Sequence, residues 1–468
     1  MDRSKQKNEL LIVFLSNWNI FCTFAAKMRR KAIILLCFAL LSVIIYGAEV
    51  TYKTRVLTPD QIKTLRIQYV DAESLAPLAG DPVRPFLVME GASIGPEGDF
   101  QQRLLEISFD EMSHETHQYT YTLLHLNADG TESRLSSYEF VDGFTTQDIT
   151  KYEHSLNTSE LYTHYSFTFP NEDMRIKASG NYALKIYEDG NPDKTIAIVC
   201  FAVVKPETVI KAKVRPNTDI EINGRYQQLD VDVEFGQTNR NAVSTDFFIV
   251  VRQNGRADNQ AFAPKPTFME SNRLRWTNCK ALIFEGGNEY HHFDTYSTYF
   301  AGVGVDRIAH DRADYHAILF EDKIRDRDIY IHEFDVDGQR VVNAERTIYD
   351  IETEAEYMWV HWTLTAEKPW FDGVVYVGGD VFENSISPRN RMQYDNERKC
   401  YWLTALVKQG GTDYQYWFVP KGEEKVTLQR TEGSHWETEN EYTIYVYYRP
   451  FGSRYDELVG LQVIHSTR

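Results

Sequence analysis

Three groups of residues carry side chains that could do chemistry. His291-His292, flanked by Glu289 and Asp294, holds enough imidazole and carboxylate to ligate a divalent metal. Adjacent residues on a strand point to opposite faces, however, so this pair reads as surface or interface polarity instead of a chelate. Glu333-Phe-Asp335-Val-Asp337-Gly338 has the alternating carboxylates that open a calcium loop. Its twelfth position is Ala344, where a bidentate glutamate is needed, so the stretch reads as a hairpin turn. The third group is the aromatic segment 374–419. No phosphate-cradling glycine loop ending in Lys-Ser/Thr and no His-Glu-x-x-His occurs. The sequence therefore assigns no catalytic, cofactor-binding or metal-ligating residue, no cofactor and no small-molecule substrate, and it names no partner-binding residue.

The elements that would position these groups repeat with a period of two. Leu229-Asp-Val-Asp-Val-Glu-Phe235 alternates apolar and acidic residues, which turns one face to a core and one to water. Asn181 to Tyr187 places Tyr182, Leu184 and Ile186 on one face, and the following Glu188-Asp-Gly190-Asn-Pro192 marks a turn. Asp129-Gly130 falls between Tyr119–Leu126 and Ser133–Val141, Asp337-Gly338 between Tyr330–Val336 and Arg340–Val342, and Asn254-Gly255 follows Phe247–Val251. Such dipeptides tolerate the positive φ of tight hairpin turns. The expectation is an all-β chain of tandem β-sandwiches, immunoglobulin-like or early-set-like.

Composition shifts suggest breaks near Lys205-Pro206 and near Asp350 to Glu356. The division expected is an upstream extension plus signal peptide over 1–48, an N-terminal sandwich region over 49–205, a middle sandwich over 206–351 and an aromatic-rich sandwich over 352–468. Six of the eight tryptophans lie between Trp359 and Trp436. Met358, Val360, Trp362 and Leu364 would share one strand face, with Tyr357, Trp359 and His361 on the other. Tyr414, Tyr416 and Phe418 likewise oppose Trp417 and Val419. Aromatics on both faces point to a sheet covered twice, by its own core and by a neighbour.

Met28-Arg-Arg-Lys31, the apolar run Ala32 to Ile45 and Tyr46-Gly-Ala48 follow the basic, apolar, small order of a secretory signal. Without residues 1–48, which carry seven basic and two acidic side chains, 43 basic groups face 66 acidic ones, a formal charge of −23. That surface repels phosphates, so nucleic acid is excluded as a partner. Cys200, Cys279 and Cys400 are odd in number and far apart, which reads as three small apolar thiols and not as a disulfide framework.

Val374-Val-Tyr-Val-Gly-Gly-Asp380, Met392 to Asp395, Tyr401 to Gly410 and Tyr414 to Val419 resemble the sandwich of glycogen-binding modules. Those modules stack sugars on an exposed tryptophan, whereas the loop Val381 to Ser387 here has none. A carbohydrate-binding envelope protein using the aromatic C-terminal domain is the alternative reading.

Several stretches, in order, resemble the type IX secretion system plug protein family. They are Tyr138-Glu-Phe-Val-Asp-Gly-Phe144, Tyr162-Thr-His-Tyr165, Phe169-Pro-Asn-Glu-Asp-Met-Arg175, Ser179-Gly-Asn-Tyr182, Glu285-Gly-Gly-Asn-Glu-Tyr290, Glu437-Thr-Glu-Asn-Glu-Tyr-Thr-Ile444 and Tyr447-Tyr-Arg-Pro450 with Gly452-Ser-Arg-Tyr-Asp456. Around His125 the chain departs from the family, with Leu126 where relatives tend to carry cysteine and Gly130 where they tend to carry tryptophan. The resemblance implies a non-enzymatic periplasmic protein, attached peripherally to the outer membrane through a protein partner, the large translocon barrel. It would close the periplasmic side of that channel when no cargo passes.

Overall fold

The structure is a computed structural model and describes residues 50–71, 86–89, 103–235, 246–263, 265–270, 272–312, 314–333 and 335–466. The signal-peptide reading of residues 1–48 lies outside the described residues. From Tyr52 onward the chain packs as one unit. Its strands form three β-sandwiches, so the expectation of tandem sandwiches holds.

In the first sandwich one sheet runs Arg55–Val56, Thr195–Val204, Gly180–Glu188, Tyr119–Leu126, Thr146–Ile149, with Phe86–Val88 parallel to Thr195–Val204. The facing sheet runs Ile62–Asp71, Arg103–Glu111, Thr163–Phe169, Lys151–His154. Tyr182, Leu184 and Ile186 point into the shared core with Ile107, Phe109 and Tyr165, as their alternation requires. Thr195–Val204 is apolar almost throughout because its other face is covered too: Ala202 and Val204 meet Val250, Tyr447 and Leu458 of the second sandwich.

The second sandwich faces Thr208–Arg215, Tyr226–Phe235, Arg273–Trp276 and Phe268–Met269, joined by Ile283–Glu285, against Gln260–Ala263, Phe247–Gln253, Glu441–Tyr448 and Glu457–His465. Leu229, Val231 and Val233 enter its core. The intervening Asp230 and Asp232 pair with Lys213, Arg215, Arg273 and Arg275 on the outer face. The third sandwich sets His291–Asp294, Gly410–Pro420, Arg340–Val342 and Gly373–Gly378 against Val305–Asp311, Asp314–Leu319, Tyr357–Thr365, Cys400–Lys408 and Gln393–Asp395.

This layout corrects the expected division at 351/352. The third sandwich is inserted into the second, and the last two strands return to it. Phe247–Gln253 pairs with Glu441–Tyr448 over its whole length, Phe247 opposite Tyr448 and Gln253 opposite Tyr442. That register buries Tyr442, Ile444 and Val446 beside Ile249 and Val251. An alternating strand specifies which face is buried, not which sheet receives it.

Two expected hairpins are also corrected. After Tyr119–Leu126 only a single bridge, Leu126 to Glu132, forms. The chain then enters the short helix Ser137–Phe140, where the Glu139 carboxylate accepts from the Ser136 N–H at 2.9 Å. Arg340–Val342 pairs with Gly410–Pro420, and the described residues between Tyr330 and Val336 carry no strand.

Candidate functional site

Ile107 and Phe109 point inward from Arg103–Glu111, so Ser108 and Asp110 point outward, yet both are buried. The third sandwich covers Asp110. Asp110 Oδ2 accepts from Lys408 Nζ at 2.7 Å and from the Tyr357 hydroxyl at 2.7 Å, and its Oδ1 lies 2.7 Å from His164 Nδ1. Lys408 Nζ also donates to the Glu352 carbonyl at 2.6 Å and sits 4.4 Å from the Tyr162 ring centroid. Arg66 donates to Glu352 Oε1 at 2.6 Å, and the Glu356 carboxylate accepts from the Ser159 N–H at 2.6 Å. Burial alone would raise the Asp110 carboxyl, but Lys408 and His164 outweigh it and hold it well below the carboxylate range. Every ionised group in this knot has a partner, the condition under which a buried charge is tolerated. Its effect is positional: the first and third sandwiches are held in one orientation.

A second knot lies in the third sandwich beside the second. Glu432, fully buried, accepts from Arg325 Nε at 2.8 Å, from the Tyr416 N–H at 2.7 Å, and lies 3.2 Å from His291 Nε2. Burial works to raise the Glu432 carboxyl, but Arg325 and His291 bring it down to about 2. Asp322 Oδ2 accepts both the Tyr414 and the Tyr416 hydroxyls at 2.7 Å. The second sandwich clasps the same stretch: Gln227 Nε2 donates to the Trp436 and Thr438 carbonyls, and the Arg256 guanidinium lies 4.4 Å from the Trp417 ring centroid. Trp417 is thus the aromatic face covered by a neighbour, while Tyr414, Tyr416 and Phe418 fill the third core.

The groups with apparent metal-ligand spacing are dispersed. His291 turns to Glu432, while His292 turns to Asp413 at 2.7 Å, on opposite faces as strand geometry dictates. Glu289 receives the Tyr330 hydroxyl, and Asp294 Oδ1 accepts from the Tyr296 N–H. Asp335 accepts from the Tyr290 and Asp337 N–H groups, and Asp413 accepts from the Val336 and Gly338 N–H groups. These carboxylates pin a loop. Burial pushes the Asp335 carboxyl up to about 7.

On the third sandwich an open cleft of about 700 Å³ is lined by Ile324, Asp326, Arg327, Pro369, Trp370, Phe371, Asp372 and Arg430. Trp370 stacks on Tyr401 at 5.4 Å, and Arg430 lies 5.6 Å from its centroid while ion-paired to Asp372 at 2.6 Å. The cleft was missed in the sequence because its aromatics sit in a turn, where no periodicity marks them. Two adjacent aromatics in Pro369-Trp-Phe-Asp-Gly373 were the available signal. The loop Val381 to Ser387, where a glycogen-binding module would present its tryptophan, buries Val381 and Phe382 in the core.

The fold thus defines an all-β protein of packed sandwiches whose buried polar groups lock one body together. Residues 94–205 match the model of the type 9 secretion system plug protein 1st domain. Over those residues the chain carries a domain of the type IX secretion system plug family, which is not an enzyme family. A crystal structure of a hypothetical protein from Parabacteroides merdae ATCC 43184 is similar over 89% of this chain and 100% of that one, with 35% identity and a TM-score of 0.82. Among curated proteins nothing matches.

Proposed function

We propose that this chain acts without catalysis as the body that closes the periplasmic side of the type IX translocon channel in the absence of cargo, held there by the outer-membrane barrel. The plug-family domain over residues 94–205 supports the association with type IX secretion. The observation that carries the occluding role is the ionic knot around Asp110 and Lys408. It makes the first and third sandwiches one rigid piece, and a seal needs fixed shape more than it needs a reactive centre. Seating against a barrel would bury on the order of 1,200–2,000 Å² in a stable contact.

The tagged chain, recovered from envelope extracts in mild detergent, is expected to bring the translocon barrel with it. Recovery without the barrel overturns the reading. Deletion is expected to admit normally excluded solutes across the outer membrane, and unchanged uptake removes the sealing role.

A further inference from the structure

We infer that the cleft around Trp370 and Phe371 is a binding site for an uncharged, unbranched oligosaccharide of hexose units. The aromatic turn of residues 369–373 is held rigidly. Trp370 is fixed between the Tyr401 ring and the Arg430 guanidinium, its N–H donates to the Tyr401 hydroxyl at 2.6 Å, and its indole N–H has no partner within the described chain. With Trp370 anchored, Phe371 is carried outward and left 88% exposed. A lone exposed apolar ring is ordinary, but one mounted beside a second, immobilised aromatic in an open cleft is a platform without an occupant.

The polar lining narrows the ligand. Asp372 and Arg430 form one ion pair, at 2.6 Å, and Asp326 and Arg327 another, at 3.7 Å. The two signs cancel inside the cleft, on a chain whose formal charge is −18. An anion or a cation would find each attractive group already neutralised by its neighbour. A neutral polyol does not need that charge. Its vicinal hydroxyls can donate to the carboxylates and accept from the guanidinium edges without breaking either pair. The ring face of a pyranose, which carries only C–H groups, supplies the apolar surface that Phe371 and the edge of Trp370 can cover. An apolar peptide helix would need a longer continuous groove than this interrupted one.

The inference is independent of the channel-closing proposal, because the cleft reading uses none of the residues in the ionic knots except by adjacency. Calorimetric titration of the full chain with maltohexaose and, separately, with chitohexaose tests it. The two arms distinguish an α-linked glucan from a β-linked N-acetylated glycan. Saturable binding to either is expected, with a change in tryptophan emission. Phe371→Ala, which touches no core, is expected to weaken binding about tenfold, about 1.4 kcal/mol, with the melting temperature unchanged. Asp326→Asn is expected to weaken it several-fold. Absence of saturable binding to both sugars at up to about 10 mM, a concentration that reaches weak affinities, overturns the inference. So does binding that Phe371→Ala leaves intact.

Discussion

Lys408 and Asp110, 298 positions apart in sequence and both wholly buried, meet at 2.7 Å across the junction of the first and third sandwiches. Removing one partner strands the other in a medium that solvates it poorly. Burial already lowers the Lys408 ammonium, and Asp110 is what opposes that shift. Asp110→Ala is therefore expected to cost about 3–5 kcal/mol in denaturant unfolding. The double replacement Asp110→Leu with Lys408→Met should recover most of the loss, since an apolar pair of similar bulk leaves no uncompensated charge. A double variant no more stable than the single one would show that the loss comes from the hydrogen bonds to Tyr357, His164 and Glu352 and not from a stranded ammonium.

Glu432 gives the expected acid response. Its folded-state carboxyl lies at about 2, below the unfolded value near 4.3. A depressed carboxylate stabilises the fold above the unfolded value, and the contribution is lost as pH falls through the folded value. The window thus opens near pH 4.5 and closes near pH 2, and it is worth about 2–3 kcal/mol for a fully buried group. Glu432→Gln is expected to lower stability at pH 7 and to flatten the decline below pH 4.5. A parallel decline in the variant would place the acid sensitivity elsewhere, with Asp110 the next group to test.

Asp335 responds with the opposite sign. Its folded-state carboxyl is raised to about 7, so the fold binds an extra proton between roughly pH 4 and pH 7. Stability from this group is greatest at acid pH and is lost as pH climbs through that window. Asp335→Asn mimics the protonated form, keeping one acceptor for the Tyr290 N–H. It should raise the melting point at pH 8 by a few degrees, corresponding to about 1 kcal/mol after allowance for partial exposure. No gain at pH 8 would mean that the carboxylate's two backbone hydrogen bonds outweigh its charge.

The sequence exposes what is local and hides what is not. Leu229 to Phe235 displays its buried face outright, because alternation is a property of seven consecutive residues. The opposition of Met358, Val360, Trp362 and Leu364 to Tyr357 was readable for the same reason, and all four fill the third core. Asp110 was not readable. It occupies an outward position in an alternating strand, where a carboxylate normally meets water, and only the arrival of Lys408 from a distant strand makes it interior. The return of Glu441–Tyr448 to the second sandwich is hidden likewise, since any alternating strand could pair there until the inserted sandwich fixes where the chain re-enters. Trp370 and Phe371 fell outside the pattern because a turn has none.

Gly410 tests whether the third sandwich depends on backbone approach as well as side-chain fit. It begins the strand Gly410–Pro420 with φ of +142°, a conformation that residues with a Cβ rarely adopt. A Cβ built there would lie 1.9 Å from the Val341 carbonyl oxygen, which belongs to the neighbouring strand and cannot swing aside. The same glycine accepts from the Thr295 N–H at 3.0 Å, so the clash would open two strand contacts together. Gly410→Ala is expected to cost at least about 2 kcal/mol, combining left-region strain with overpacking. Gly422→Ala is the control: it has φ of +88° but no atom within 4 Å of the added carbon, so it reports strain alone. Both variants place a Cβ at positive φ, so a loss in Gly410→Ala well beyond that in Gly422→Ala is the expected mark of the close approach. Equal losses in the two variants would mean that the sheet yields at Val341 and that the approach is not structurally required.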